Sequence, residues 1–173
     1  MPEAAWRTIV WGPALLLLAI PLVAMQFSDD VQWDVLDFTL IAALLLAACA
    51  AAELALRTSR SVAYRLGAGL AIATAGFLVW ANRALGIIGS ETDPANDLYL
   101  AVRAVLIAGA AFTRLRPAAM ARVLVAVAAT QLGIGLYALL AGLDHGLQID
   151  AAFAVLWLGS AWLFRLASRR AKA

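Results

Sequence analysis

The chain has 173 residues, of which 65% are hydrophobic and only 14% are charged, and its mean hydropathy is +0.90. Soluble domains are about 45 to 50% apolar and about 25% charged, so this composition excludes a soluble globular protein. Six membrane-spanning helices of about 20 residues each take about 120 residues, which leaves no room for a soluble catalytic domain.

Apolar runs bounded by charged or turn residues predict six membrane-spanning helices. The fold class is therefore all-α, a polytopic membrane helix bundle in which the helices form three outward hairpins. A single transmembrane domain covers residues 1–173. The predicted spans are 8–25, 38–56, 66–89, 98–113, 123–143 and 151–166.

The charges separate onto the two sides of this predicted bundle. One side carries two acids and eleven bases, a net charge of +9. These bases are Arg7, Arg57, Arg60, Arg65, Arg114, Arg116, Arg122, Arg165, Arg169, Arg170 and Lys172. The other side carries nine acids and, with Arg83 and Arg103 counted there, a net charge of −7. The positive-inside rule then places both termini in the cytoplasm, as in a multi-pass bacterial inner-membrane protein.

This charge separation also bears on the partners of the chain. The predicted partners are the lipid bilayer itself and, at the basic cytoplasmic face, anionic lipids. No nucleic-acid partner is expected, because the basic residues are accounted for as determinants of topology.

The three hairpins have comparable patterns of charge. Asp37, Asp97 and Asp150 each open the second helix of a hairpin, and a basic residue precedes each first helix at a similar distance. Tandem repetition would produce this alignment. The positive-inside rule acting on three short hairpins would produce it as well, so both explanations stay open.

Three reactive residue types occur only once each, as Cys49, His145 and Lys172. These counts exclude a dithiol relay, a haem held by two histidines and a buried lysine for a Schiff base. Asp144 beside His145 is typical of a solvated turn. We therefore predict no metal and no cofactor.

Small residues recur along the second predicted helix. Ala43, Ala47, Ala51 and Ala55 lie four residues apart and form a ridge on which another helix backbone can approach closely. Such a ridge favours packing against a second copy of the chain or against a larger membrane protein.

The middle hairpin places two arginines inside the predicted spans. At 1.5 Å per residue, Arg83 and Arg103 lie roughly 9 to 12 Å below the hairpin tip. An arginine in a bilayer costs about 2.5 to 3.5 kcal/mol even on the lenient insertion scale, so it usually faces a partner or a wet cavity. In the tip, Asp93 is the predicted N-cap and Pro94 the first helical residue.

Two interpretations of this hairpin stay open. In the first, tip acids neutralise both arginines in a structural ion network. In the second, the arginines and two asparagines coordinate an anion or carboxylate. The candidate residues are Arg83, Arg103, Asn82, Asn96, Glu91, Asp93 and Asp97, and no catalytic residue is assigned.

Two further residues are predicted to have structural roles. Tyr99 is interpreted as an aromatic residue of the membrane interface, and Gln131 as an interhelical hydrogen-bonding residue near the middle of the membrane.

Two tip sequences, F-S-D-D-V-x-W at residues 27–33 and G-I-I-G-S-E-x-x-P-A-N at residues 86–96, resemble those of a group of small bacterial inner-membrane proteins without an assigned activity. The resemblance covers most of the chain. It implies a six-span architecture and carries no activity over to this sequence.

These observations favour a non-enzymatic accessory or scaffold protein that packs with itself or with a larger membrane partner. The alternative is a compact carrier or channel for a small anion or carboxylate that uses Arg83 and Arg103. An enzyme acting at the outer interface ranks third, because nothing orients the acids of the tips.

Overall fold

The structure is a computed structural model that describes residues 3–28, 32–90, 92–143 and 147–170, with side-chain detail from residue 10 to residue 169 within these ranges. By its internal contacts the chain divides into two compact units, Met1–Leu54 and Ala55–Ala173. Each unit is described by itself.

The described part of the chain is helical. Its α-helices are α1 (Glu3–Ala24), α2 (Val35–Thr58), α3 (Val62–Ala84), α4 (Tyr99–Thr113), α5 (Pro117–Leu140) and α6 (Leu147–Arg170), and a 3₁₀ helix (Pro94–Leu98) leads into α4. Five segments are long and apolar enough to cross a membrane, namely α2, α3, the 3₁₀ helix with α4, α5 and α6. The apolar part of α1, Val10–Ala24, is shorter. The all-α prediction is confirmed, and the arrangement as three hairpins stays a prediction.

Local hydrogen bonds explain where α2 and α3 begin. The backbone N–H of Asp34 donates to the Asp37 carboxylate at 3.1 Å, and the N–H of Asp37 donates to the Asp34 carboxylate at 2.9 Å. This reciprocal pair satisfies two backbone donors at the start of α2. Ser61 caps α3, where its hydroxyl oxygen accepts from the N–H of Tyr64.

The third helix ends earlier than predicted. We expected a span that continues to residue 89, whereas α3 ends at Ala84. Gly86 and Gly89 adopt φ values of +65° and +62°, in the left-handed region that glycine enters without a steric penalty. The glycines therefore turn the chain out of the helix before the tip. The predicted N-cap at Asp93 and helix start at Pro94 are confirmed, although the first turns are 3₁₀.

The last two helices are longer than their apolar runs. Helix α5 begins at Pro117, six residues before the predicted span, and α6 covers Leu147–Arg170 rather than residues 151–166. Proline suits the first helical position because its missing N–H needs no partner there. Helix α5 also ends at Leu140, three residues inside the predicted span. Hydropathy locates the part of a helix that favours lipid, and in α6 residues at both ends continue the helix beyond it.

Among the five segments able to cross a membrane, α2 is the least buried. Only 6% of its most apolar window is buried, compared with 39% for each of α3, α5 and α6. Ala43, Ala47 and Ala51 are exposed, whereas Ala55, which belongs to the second unit, is buried. Within the described part of the first unit, no other helix therefore covers these three alanines.

In the second unit, α6 packs against α5 and α3, and α4 packs against α5. The side chains that are most completely buried come from all four helices and from the tip before α4. The largest of these are Trp157, Tyr64, Tyr99, Phe164, Leu78, Ile88, Leu124 and Gln131.

Two glycines mark the closest helix contacts in this unit. A Cβ atom on Gly67 of α3 would lie 3.1 Å from side-chain atoms of Leu163 and Phe164 on α6. There the hydroxyl of Ser160 donates to the carbonyl of Gly67 at 2.7 Å. A Cβ atom on Gly109 of α4 would overlap the side chain of Val123 on α5. Both glycines thus permit close approach of neighbouring helices.

Candidate functional site

The tip between α3 and α4 is organised by one buried asparagine. The side-chain oxygen of Asn96 accepts from the backbone N–H groups of Ile87 and Ile88, each at 3.0 Å. Its amide nitrogen donates to the carbonyls of Ile88 at 3.0 Å and Ser90 at 2.7 Å. Asn82 on α3 donates to the carbonyl of Asn96 at 3.1 Å. We call Asn82, Asn96 and the backbone of residues 87–90 the tip network.

This network uses the hydrogen-bonding capacity of Asn96 on the protein backbone. The Asn96 side chain donates two hydrogen bonds and accepts two, which uses the donor and acceptor positions of a primary amide. Asn82 differs, because its buried Oδ1 atom has no hydrogen-bond partner in the described part of the chain. Of the two predicted asparagine ligands, Asn96 is thus committed to the turn, and Asn82 retains one acceptor.

The tip acids have separate positions. Asp93 caps the 3₁₀ helix, where its Oδ1 atom accepts from the N–H of Ala95 at 2.8 Å. Its Oδ2 atom lies 2.7 Å from the place that a Cβ atom on Gly89 would occupy, so the side chain folds back over the turn. Asp97 lies in the 3₁₀ helix and is exposed.

The two arginines differ in burial. Arg83, in the last turn of α3, is exposed, whereas Arg103 on α4 is half-buried and its Nε donates to the carbonyl of Tyr99 at 3.4 Å. Asp93 and Asp97 are the tip acids that the structure describes, and neither makes an ion pair with either arginine.

Other residues named by the sequence analysis lie outside the described residues. Glu91, the remaining acid of the tip, is one of them, and so are Asp144 and His145 in the turn before α6.

A second polar cluster lies where α4, α5 and α6 meet. Asp150, in the first turn of α6, is fully buried. The hydroxyl of Tyr99 on α4 lies 3.0 Å from both carboxylate oxygens, and the amide nitrogen of Gln131 on α5 donates to Oδ1. We call Asp150, Tyr99 and Gln131 the Asp150 cluster. It joins three helices through side chains alone.

The cluster leaves one buried polar atom, Oε1 of Gln131, without a hydrogen bond in the described residues. On α6, Nε1 of Trp157 is also buried without a hydrogen bond there. A half-satisfied amide beside a buried carboxyl group is costly in a low-dielectric interior, unless the packing of the helices holds it there. The arrangement can bind helices together, because it links one side chain from each of α4, α5 and α6.

The sequence analysis identified this cluster only in part. Gln131 does form an interhelical hydrogen bond, as predicted. The interpretation of Tyr99 as an interface residue was wrong, because its ring is fully buried in the bundle. Asp150 was counted among the acids of an exposed face and is instead buried. A signal existed, since Asp150, Phe153 and Trp157 fall at helical spacing on the buried face of α6.

In comparisons with known proteins, no family model, no curated protein and no solved structure matches the chain. The fold alone defines the class. With five helices able to cross a membrane, the chain is an integral membrane protein built as a helical bundle.

Proposed function

We propose that the chain is a non-enzymatic accessory or scaffold protein, which packs through the alanine ridge of α2 against a second copy of itself or a larger membrane protein. The observation that carries this proposal is a contrast within the molecule. The helix with the most regular stripe of small residues is also the least buried of the five segments able to cross a membrane.

The physical argument rests on what lipid requires of a helix surface. Lipid tails pack equally well around leucine, isoleucine or valine, so contact with lipid does not select an alanine at every fourth position. Close approach of another helix does select it, because small side chains allow the backbones to come together. Ala43, Ala47 and Ala51 are exposed and share this face.

The polar groups of the second unit support the same function. Asn96 is bonded to the backbone of the tip, and Tyr99 and Gln131 are bonded to Asp150. Groups held in this way stabilise a bundle and do not face a substrate.

Site-specific photo-cross-linking in native membranes tests the proposal. A photoreactive amino acid in place of Ala47 should give a cross-linked product larger than one chain. The same group in place of Leu46 is the matched control, because Leu46 is also exposed but lies about 100° around the helix. Ala47→Leu should weaken association by forcing the helices apart, whereas Ala47→Gly should preserve it.

Equal cross-linking at positions 46 and 47 would contradict the proposal, since lipid-facing residues meet neighbouring proteins at random. A cross-link formed only within one chain would contradict it as well.

A second candidate function is a compact carrier or channel for a small anion or carboxylate, which would use Arg83 and Arg103. The half-burial of Arg103 supports it, because a bound anion would compensate a guanidinium group that is partly withdrawn from water. The side chain of Asn96 is already bonded within the tip network. This counts against a site in which both arginines and both asparagines bind the anion.

Thermal melting with a panel of small anions and carboxylates separates this function from a structural ion network. If the arginines bind an anion, Arg103→Ala should leave the fold intact and abolish stabilisation by the anion. If they form a structural network, Arg103→Ala should destabilise the protein, and removal of Asp97 or Glu91 should partly restore stability.

A further inference from the structure

The turn between α4 and α5 has an unusual backbone. Only Arg114, Leu115 and Arg116 separate the two helices, and the first two adopt φ values of +48° and +59°. A residue with a Cβ atom is strained in the left-handed conformation, because the Cβ atom comes too close to the following carbonyl oxygen. The surroundings hold it in place, since the hydroxyl of Tyr64 donates to the carbonyl of Leu115 at 3.0 Å.

The three side chains of the turn differ in burial. Leu115 is half-buried and packs against the core of the second unit, whereas Arg114 and Arg116 are both exposed. The turn therefore directs its apolar residue inward and leaves its two guanidinium groups at the surface.

A cavity of about 490 Å³ opens beside this turn. Phe112, Thr113, Arg114, Arg116 and Ala119 line it. Its volume lies in the range of small-molecule sites, about 300 to 1,000 Å³, and no acid belongs to its lining. The Thr113 hydroxyl donates to the carbonyl of Gly109 at 2.7 Å, so the guanidinium groups are the side-chain donors that remain for a ligand.

The electrostatics of the cavity favour an anion. Helix α5 begins beside it with its partially positive end, and α4 ends beside it with its partially negative end. These two partial charges oppose each other, so the guanidinium groups supply the net positive charge. Acidic or hydroxyl side chains usually occupy the N-cap position of a helix, but here the N-cap is Arg116, which makes no capping hydrogen bond with its side chain. The sequence thus adds positive charge to the positive end of a helix.

The location of the cavity identifies the source of that anion. Two segments able to cross a membrane, ending at Thr113 and beginning at Pro117, meet at this turn, so it lies at a membrane surface. Phe112 belongs to the first of them and is 90% exposed. A ligand here meets guanidinium groups and an exposed aromatic side chain at the end of a membrane-spanning segment.

From this combination we propose that the cavity binds the phosphate group of an anionic phospholipid, with Arg114 and Arg116 as donors to the phosphate and Phe112 against the acyl chains. Guanidinium groups match the geometry of phosphate oxygens, to which they can donate two parallel hydrogen bonds. The site is independent of the function proposed for α2, because it uses no residue of that helix.

Native mass spectrometry of the delipidated full chain tests the proposal. The protein is offered an equimolar mixture of phosphatidylglycerol and phosphatidylcholine, with and without excess inorganic phosphate. The unmodified chain should retain phosphatidylglycerol preferentially, and inorganic phosphate should not displace it. Arg114→Gln combined with Arg116→Gln should reduce this retention about tenfold or more, because two charge-assisted contacts are lost.

Arg60→Gln provides the matched control. Arg60 is an exposed arginine in the turn between α2 and α3 and does not line the cavity. This variant should retain the lipid to within about twofold of the unmodified chain, because it removes charge without touching the site. Circular dichroism melting checks that all variants are folded.

Three results would overturn the proposal. Equal loss of lipid in Arg60→Gln would mean that the basic residues attract lipid without a defined site. Unchanged retention in the double variant would remove the site altogether. Complete displacement by inorganic phosphate would identify a site for the free anion, in which acyl chains have no part.

Discussion

The tip network and the Asp150 cluster both bury polar side chains, and they satisfy them in different ways. In the tip network, the amide of Asn96 bonds to the backbone of a turn that has left the helix. In the Asp150 cluster, side chains from three helices bond to one another while each helix keeps its own backbone hydrogen bonds.

The difference shows what each arrangement holds in place. A turn needs partners for its own N–H and C=O groups, which a single amide can supply. Helices have no such need, so a polar cluster between them fixes the position of one helix against another. The tip network therefore determines local shape, and the Asp150 cluster determines how α4, α5 and α6 pack.

The largest effect should come from removing both neutral donors of the Asp150 cluster. Tyr99→Phe combined with Gln131→Leu should destabilise the protein by about 3 to 5 kcal/mol, because a buried carboxyl group loses two hydrogen bonds. Adding Asp150→Leu should restore most of the loss, since the group that requires the donors is then absent. Unfolding in detergent, followed by circular dichroism, measures both changes.

This triple variant is the decisive control for the first comparison. If it is as unstable as the double variant, the loss comes from packing of the rings and side chains, and the cluster does not act as a hydrogen-bonded unit.

In the tip network, Asn96→Ala should cost about 2 to 4 kcal/mol, because the buried N–H groups of Ile87 and Ile88 lose their shared acceptor. Asn96→Asp keeps an acceptor there and should cost less. Hydrogen exchange at the tip provides the readout. Equal exchange rates in Asn96→Ala and the unmodified chain would show that the turn holds its shape without this amide.

The packing that brings Tyr99 and Gln131 together depends on Gly109. Gly109→Ala should destabilise the protein by about 1 to 3 kcal/mol, because the new Cβ atom overlaps the stiff side chain of Val123. Gly69→Ala is the matched control on α3, where nothing lies within 4 Å of the new atom. It should be neutral or slightly stabilising. Melting temperatures that fall equally for both variants would contradict the role of close approach.

The last prediction concerns the side of the membrane that each region faces. The substitutions that test it should not alter stability. In a Cys49→Ala background, Ser90→Cys at the tip should react with a membrane-impermeant maleimide added outside intact cells. A cysteine in place of Ser168, near the end of α6, should react only after the cells are opened. Labelling of position 168 in intact cells would reverse the predicted orientation.

Much of the helical structure could be predicted, because it depends on local patterns. Asp93 and Pro94 form the predicted helix start, since capping involves residues that are close in sequence. The end of α3 was missed for the opposite reason. A glycine is tolerated inside membrane helices, and only the surroundings of Gly86 and Gly89 decide that the chain turns there.

The candidate site was harder to predict because it depends on which faces meet. Arg83 and Arg103 were chosen as charges inside apolar runs, and the structure leaves Arg83 exposed and Arg103 half-buried. Asp150 was not predicted as a site residue, since an acid near a helix start has an ordinary local explanation as a favourable charge for the helix dipole.

The sequence by itself determined that the chain is helical and belongs in a membrane, because these properties follow from composition and from the length of apolar runs. Its charges predict an orientation for the same reason, since the rule counts residues and needs no contacts. Only the tertiary structure decided that Tyr99, Gln131 and Asp150 meet and that Arg114 and Arg116 share a cavity. Helices that are apolar on all sides do not reveal which face turns toward a neighbour, so the pairing of distant side chains emerges only when the helices pack.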